Sequence, residues 1–134
     1  MTGGVTSDYD TDILVWSEQQ AALLRRRAAG ELLNEADLDW SNIAEEIESL
    51  GRSDRRELRS RVATILVHLI KLEASPATDP RAGWRVTVLE QRAGLRDVLR
   101  DSPSLTRTVA AVIAEEIEVA REIAAISLAG DRSI

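Results

Sequence analysis

Two acidic side chains and one imidazole form the part of the sequence that could do chemistry. Glu45 and Glu48 are three residues apart, so they share one face of a helix, and His68 is the only histidine in the chain. Carboxylates and an imidazole could hold a metal ion or exchange protons with a substrate. The pattern gives one hypothesis, a metal-dependent or acid-base enzyme that uses Glu45, Glu48 and His68.

The same residues have a simpler interpretation. Metal sites in helical bundles use Glu-x-x-His motifs on several helices, and the sequence contains no such motif. Acidic helix faces are usually solvated, and Glu46 and Glu48 could pair with the arginines that follow. His68 flanks an apolar stripe, where a half-buried imidazole commonly bonds to a carboxylate or carbonyl. We predict no metal, no cofactor and no catalytic residue, and keep Glu45, Glu48, His68 and Trp84 as the candidate functional cluster.

A run of arginines after Gly51 is a second candidate. Arginines at the start of a helix could contact phosphates, which gives a weaker alternative, a nucleic-acid-binding regulator. The net charge of the chain is -6 and acidic residues interleave with the arginines, so the sequence disfavours nucleic-acid binding. The candidate residues in this turn are Arg52, Arg55, Arg56, Arg59 and Arg61.

Composition limits the classes of protein that remain. A chain of 134 residues has the length of one domain, and without cysteine it has neither disulfides nor thiolate metal sites. No apolar run reaches the roughly 20 residues that cross a bilayer. The N-terminal segment lacks the basic and apolar regions of a signal peptide. The sequence therefore predicts a cytoplasmic protein without a membrane partner.

The candidate residues must be positioned by helices, because aliphatic residues recur every three or four positions. Capping residues, glycines and prolines divide this pattern into five helices with short links. The predicted fold is all-α, a single-domain antiparallel helical bundle at residues 9–130, between a flexible N-terminus (1–8) and a C-terminal tail (131–134). The predicted starts are Asp8 or Asp10, Asp37 or Asp39, Ser53, Asp79 with Pro80, and Ser102 with Pro103; the predicted ends are Gly30, Gly51, Glu73, Asp101 and Gly130.

Two glycines within the helical pattern set specific expectations. Gly51 is predicted to end the second helix, and the rival interpretation is one long helix bent at Gly51, because the apolar phase nearly continues across it. Gly94 costs a helix about 1 kcal/mol relative to alanine, so it could mark a close contact between helices. The residues predicted to face inward include Ile13, Trp16, Gln20, Ile47, Leu50, Leu58, Val62, Leu66, Leu69, Trp84, Leu95, Val98, Leu99, Leu105, Val109, Val112, Ile113 and Ile123.

Several short motifs occur along the chain in a specific order. They are Tyr9-Asp10-Thr11-Asp12 with Trp16; Ile43-Ala44-Glu45-Glu46-Ile47-Glu48; Leu50-Gly51-Arg52-Ser53; Arg55-Arg56-Glu57-Leu58; His68-Leu69 with Lys71; Trp84 with Glu90-Gln91-Arg92; and Asp101-Ser102-Pro103-Ser104-Leu105. Their joint order and spacing, from Tyr9 to Ala129, resemble the bacterial family called domain of unknown function 29. The resemblance implies a small all-α bacterial protein. It implies no activity, cofactor or catalytic residue, so it transfers no functional site.

The remaining expectation is a role in binding. The sequence has no nucleophile motif and no phosphate-binding loop, whereas apolar helix faces are plentiful, and surplus apolar surface favours association. We predict a non-enzymatic helical module that acts through protein-protein interaction or self-association, with an unknown protein partner or a second copy as its ligand. The enzyme and the nucleic-acid regulator remain as alternatives.

Overall fold

The computed structural model describes residues 8–132, and for residues 131 and 132 only the backbone. These residues form helices and no strand, so the all-α class predicted from the sequence is confirmed. Apart from residues 8, 131 and 132, the predicted flexible N-terminus (1–8) and C-terminal tail (131–134) lie outside the described residues. A short helical segment occupies residues 8–11. The longer α-helices are α1 (Ile13–Ala28), α2 (Trp40–Ala74), α3 (Arg81–Asp101) and α4 (Val109–Arg132), and 3₁₀ turns occupy Glu35–Asp37 and Pro103–Thr108.

The chain divides into two compact units, Met1–Gly51 and Arg52–Ile134. Helix α2 contributes residues 40–51 to the first unit and residues 52–74 to the second. Among the described helices, none has the length and apolar character that crossing a membrane requires. The arrangement of the helices as one antiparallel bundle remains a prediction.

The break predicted at Gly51 is wrong, because α2 is one continuous helix over Trp40–Ala74. Among the described residues, only Gly30 is a glycine with positive φ, +92°, so Gly51 keeps a helical backbone. A single glycine inside a helix costs about 1 kcal/mol, which a helix of 35 residues tolerates. Ser53, predicted to cap a new helix, therefore lies inside α2.

The ends of α1 and the start of α2 are set by local hydrogen bonds. Asp12, rather than the predicted Asp8 or Asp10, caps α1, because its side chain accepts from the Val15 N–H. The predicted stop at Gly30 is confirmed by its left-handed backbone just after α1. Asp39 is the residue immediately before α2, and its carbonyl accepts the N–H of Ile43 at 2.9 Å.

The later helices differ from the prediction at their first and last turns. Helix α3 begins at Arg81 after Pro80, and no side chain caps it, so the predicted cap by Asp79 is wrong. Pro103 opens a 3₁₀ turn, and the α-helical geometry of α4 starts only at Val109. Helix α4 also passes its predicted end at Gly130.

Contacts within the second unit set the directions of its helices. From α2 to α3, Arg61 bonds to Gln91 and Lys71 lies over Trp84, so the pairing runs in opposite order and the two helices are antiparallel. From α2 to α4, Arg59 binds Glu115 and Lys71 binds Ser127, so these helices run parallel. A Cβ at Gly94 would collide with the guanidinium of Arg61, which confirms the close contact expected at this glycine.

The core of the second unit is aliphatic. Five buried residues form one cluster and four partly buried residues pack against it, all of them among those predicted to face inward: Leu58, Val62, Val98, Leu105 and Val112, then Leu66, Leu95, Leu99 and Val109. Other residues predicted to face inward are exposed, because helical spacing identifies an apolar stripe but not the length of stripe that meets a neighbour. These are Ile13, Ile47, Leu50, Leu69, Ile113 and Ile123.

Candidate functional site

The four residues of the candidate cluster are divided between the two units, two in each. Glu45 and Glu48 are exposed on the part of α2 that belongs to the first unit, whereas His68 and Trp84 belong to the second. Among residues 8–132, no group of three histidine, aspartate or glutamate side chains is arranged to hold a metal ion.

His68 is half-buried and bonded within its own helix. Its Nδ1 lies 2.9 Å from the carbonyl oxygen of Thr64, one turn earlier in α2. Because a carbonyl only accepts hydrogen bonds, Nδ1 carries the proton of this bond. This is the bonded imidazole that the simpler interpretation of the sequence describes.

Trp84 is buried against the only lysine of the chain. The Nζ of Lys71 lies 4.8 Å from the centroid of the indole and donates to the Ser127 hydroxyl at 2.9 Å. The aromatic face and the hydroxyl replace water around a buried ammonium group. Lys71 thus joins α2, α3 and α4. The one feature of the sequence that marks Lys71 is that it is the only lysine beside sixteen arginines.

In the first unit, hydrogen bonds converge on Asp39. Its carboxylate accepts from the indole N–H of Trp16 at 2.9 Å and from the amide of Asn42 at 2.8 Å. Its own backbone N–H donates to the Gln20 side chain at 2.8 Å. Trp16 and Gln20 are buried, so Asp39 ties α1 to the start of α2.

Tyr9 extends this group of contacts to the acidic face of α2. Its ring meets Trp16 edge to face, with centroids 4.8 Å apart, and its hydroxyl donates to the Glu46 carboxylate at 2.7 Å. The hydrogen bond to Glu46 raises the pKa of Tyr9 to about 12, with smaller contributions from desolvation and the neighbouring negative charges. Glu46 therefore bonds to a phenol, not to one of the arginines that follow it.

A concave surface with a volume of about 480 Å³ lies between α2, α4 and the 3₁₀ turn of the second unit. We call it the arginine groove. Its floor is apolar and continues from the buried core, and its rim is mostly guanidinium groups. The residues that line it are Arg52, Arg55, Arg56, Leu58, Arg59, Leu105, Thr108, Ala111, Val112 and Glu115. A floor of this kind suits apolar groups, and its rim suits carboxylates or phosphates.

The arginines of the predicted basic turn divide into paired and unpaired groups. Arg59 binds Glu115 at 2.6 Å and Glu116 at 2.7 Å, and these bonds, first that to Glu116, raise the pKa of its guanidinium above the ordinary value. Arg61 binds Glu57 at 3.0 Å. Within residues 8–130, Arg55 and Arg56 are exposed and have no carboxylate partner. They are the charges left for a ligand of the groove.

The apolar lining of the groove continues along α4. Residues three or four positions apart share one helix face, and such a series runs from the groove to the exposed middle of α4. We call it the α4 strip: Val112, Glu115, Val119, Glu122, Ile123 and Ile126. Val119 is 50%, Ile123 49% and Ile126 74% exposed. The sequence pattern predicts that Ile123 faces the core, and so it does not reveal the strip.

Helices without strands in the described residues, together with a basic-rimmed apolar groove, define a small all-α protein with a candidate binding surface. The chain belongs to the family described as Domain of unknown function DUF29, whose family model matches residues 9–132. The family resemblance of the sequence motifs is thereby confirmed, and the description assigns no activity. No curated protein and no solved structure matches the chain.

Proposed function

We propose that the protein is a cytoplasmic, non-enzymatic helical module that acts through protein-protein interaction or self-association, with the arginine groove and the α4 strip as its binding surface. One observation carries the proposal. The apolar floor of the groove continues onto three strongly exposed aliphatic residues of α4, Val119, Ile123 and Ile126. Single exposed aliphatic residues are ordinary, whereas a series aligned with an apolar groove is typical of interaction sites.

The energetics favour a protein ligand with a particular pattern. Covering apolar surface contributes about 25 cal/mol per Å², so a partner gains most by placing aliphatic side chains along the strip. Arg55 and Arg56 stand at one edge of the groove, and guanidinium groups bind carboxylates in a fixed geometry. The expected partner segment therefore combines aliphatic side chains with at least one carboxylate.

No contact among the described residues favours either alternative from the sequence. The enzyme hypothesis needs Glu45, Glu48 and His68 to act together, and the described residues contain no group of three acidic or histidine side chains that could hold a metal ion. The nucleic-acid hypothesis uses the five arginines of the basic turn, and two of them, Arg59 and Arg61, are bound to carboxylates. The net charge of -6 also opposes phosphate binding.

Site-specific photo-crosslinking in cells tests the proposal. A benzophenone amino acid replaces Ile123 on the strip or, as the control, Ala93, which is exposed on α3. We expect light-dependent adducts with a protein, another chain or a second copy, from position 123 and not from position 93. Adding Ile126→Glu should reduce that adduct about 10-fold, because it places a charge in the apolar contact. Equal adducts from both positions, or none from position 123, would contradict the proposal.

A further inference from the structure

We infer that the ligand of the α4 strip is a second copy of this chain, bound with the two α4 helices antiparallel around a two-fold axis that crosses the strip at the level of residue 117. The inference rests on the proposed function and names its partner. It is carried by the order of charges along the strip. Arginines stand beside its first half, from the groove, where Glu115 is already bound to Arg59, and Glu122 stands in its second half.

Antiparallel pairing brings these opposite halves together. With the axis at the level of residue 117, position 122 of one copy lies opposite position 112 of the other, and position 123 lies opposite position 111. Ile123 then faces the apolar groove lined by Ala111 and Val112. Glu122 comes level with that end of the groove, where Arg55 and Arg56 form the rim.

The charges that meet in this arrangement are the ones without partners in one copy. Among the side chains of residues 8–130, that of Glu122 is exposed and has no hydrogen-bond or ion-pair partner, and neither have those of Arg55 and Arg56. Glu118, one turn before Glu122, is bound to Arg121 at 2.8 Å. Because a two-fold axis repeats each contact, the pairing satisfies both copies at once and leaves no open end.

The size of the contact sets its strength. From Ala111 to Ile126 the helix rises about 22 Å, at about 1.5 Å per residue. A contact between two helices of this length lies at the small end of specific interfaces, which bury about 800 Å² per partner. We therefore expect a dimer that depends on protein concentration and weakens as salt screens its ion pairs.

Charge reversal on each half of the strip tests the inference by sedimentation velocity, from micromolar to millimolar protein. Arg55→Glu with Arg56→Glu, or Glu122→Arg alone, places like charges opposite each other, so each variant should dimerise about 10-fold more weakly or worse. Mixing the two variants places opposite charges at both contacts, so the heterodimer should regain the wild-type affinity. Glu90→Arg, an equal charge change at an exposed position of α3, should leave dimerisation unchanged.

The outcomes separate this inference from the proposed function. A wild-type chain that stays monomeric at millimolar concentration, or a mixture that does not regain affinity, overturns the second copy as partner. If position 123 still forms a strip-specific adduct with another protein, the proposed function stands although the partner is not a second copy. A dimer that Glu90→Arg weakens as much as Glu122→Arg also overturns the inference, because the contact then lies elsewhere.

Discussion

Residues 8–51 and residues 52–132 bury different kinds of side chain. The first region buries an indole, an amide and one leucine (Trp16, Gln20, Leu38), and its hydrogen bonds converge on Asp39. The second buries an aliphatic cluster that includes Leu58. Hydrogen bonds depend on distance and angle, whereas apolar contacts scale with buried area. The free energy of unfolding should therefore respond most to the loss of one polar group in the first region and to the loss of buried volume in the second.

The largest effect is expected from the aliphatic core. Leu58 is 1% exposed, and Leu58→Ala should lower the free energy of unfolding by about 2–5 kcal/mol, because it removes buried methyl groups and leaves a cavity. Urea denaturation followed by circular dichroism measures this change. The matched control is Leu89→Ala on α3, where the side chain is 65% exposed and little should change. Similar losses of unfolding free energy in Leu58→Ala and Leu89→Ala would contradict the view that buried aliphatic volume stabilises the second region.

A smaller effect is expected at the polar centre of the first region. Asp39→Ala removes the acceptor of the Trp16 indole N–H, and an unsatisfied buried donor costs about 1–3 kcal/mol. Asp37→Ala is the control, because Asp37 is an exposed acid whose side chain has no partner among residues 8–132. Denaturation curves that coincide for the two variants would show that the hydrogen bonds of Asp39 do not stabilise this region.

Gly51 stands where the two regions meet along α2, and its substitution should raise stability. Alanine replaces a glycine inside a continuous helix, and a Cβ there would meet no atom within 4 Å. Gly51→Ala should therefore increase the free energy of unfolding by about 0.5–1 kcal/mol. Gly30→Ala is the opposite control, because its φ of +92° is strained for alanine by about 1–2 kcal/mol. Destabilisation by Gly51→Ala would support the broken helix that the sequence favours.

The contrast between the regions also explains which features could be predicted. The core around Leu58, Val62 and Val98 follows from helical periodicity, because each residue lies on the apolar face of a single helix. The continuity of α2 does not follow from periodicity. A glycine that a helix tolerates and a glycine that ends a helix are the same residue type in the sequence. Gly30 and Gly51 differ only in backbone conformation.

The candidate sites were predictable only in part, for a related reason. The arginine run was visible as a charge pattern, but its groove needs Leu105 and Val112, about fifty residues further along the chain. The contacts of Asp39 join residues about twenty positions apart, and no periodicity marks them. A joint role for Glu45, Glu48, His68 and Trp84 remains a prediction.

The last prediction uses pH to sharpen the polar half of the comparison. The hydrogen bond to Glu46 raises the pKa of Tyr9 to about 12, above the value near 10 of an unfolded tyrosine. The fold therefore favours the neutral phenol. Its contribution to stability is complete below about pH 10 and is lost as the pH rises from about 10 towards 12. The chain has one tyrosine, so tyrosinate absorbance in the near ultraviolet reports this group alone.

Glu46→Gln tests the cause of the shift. Glutamine keeps an acceptor for the Tyr9 hydroxyl but removes the charge, so the phenol should titrate closer to pH 10 than in the wild type, and closer to the same chain unfolded in urea. Glu48→Gln is the control, because the hydroxyl donates to Glu46 and Glu48 is not among the causes of the shift. If wild type and Glu46→Gln titrate together near pH 10, Tyr9 is not bonded to α2, and the polar contacts of the first region end at Asp39.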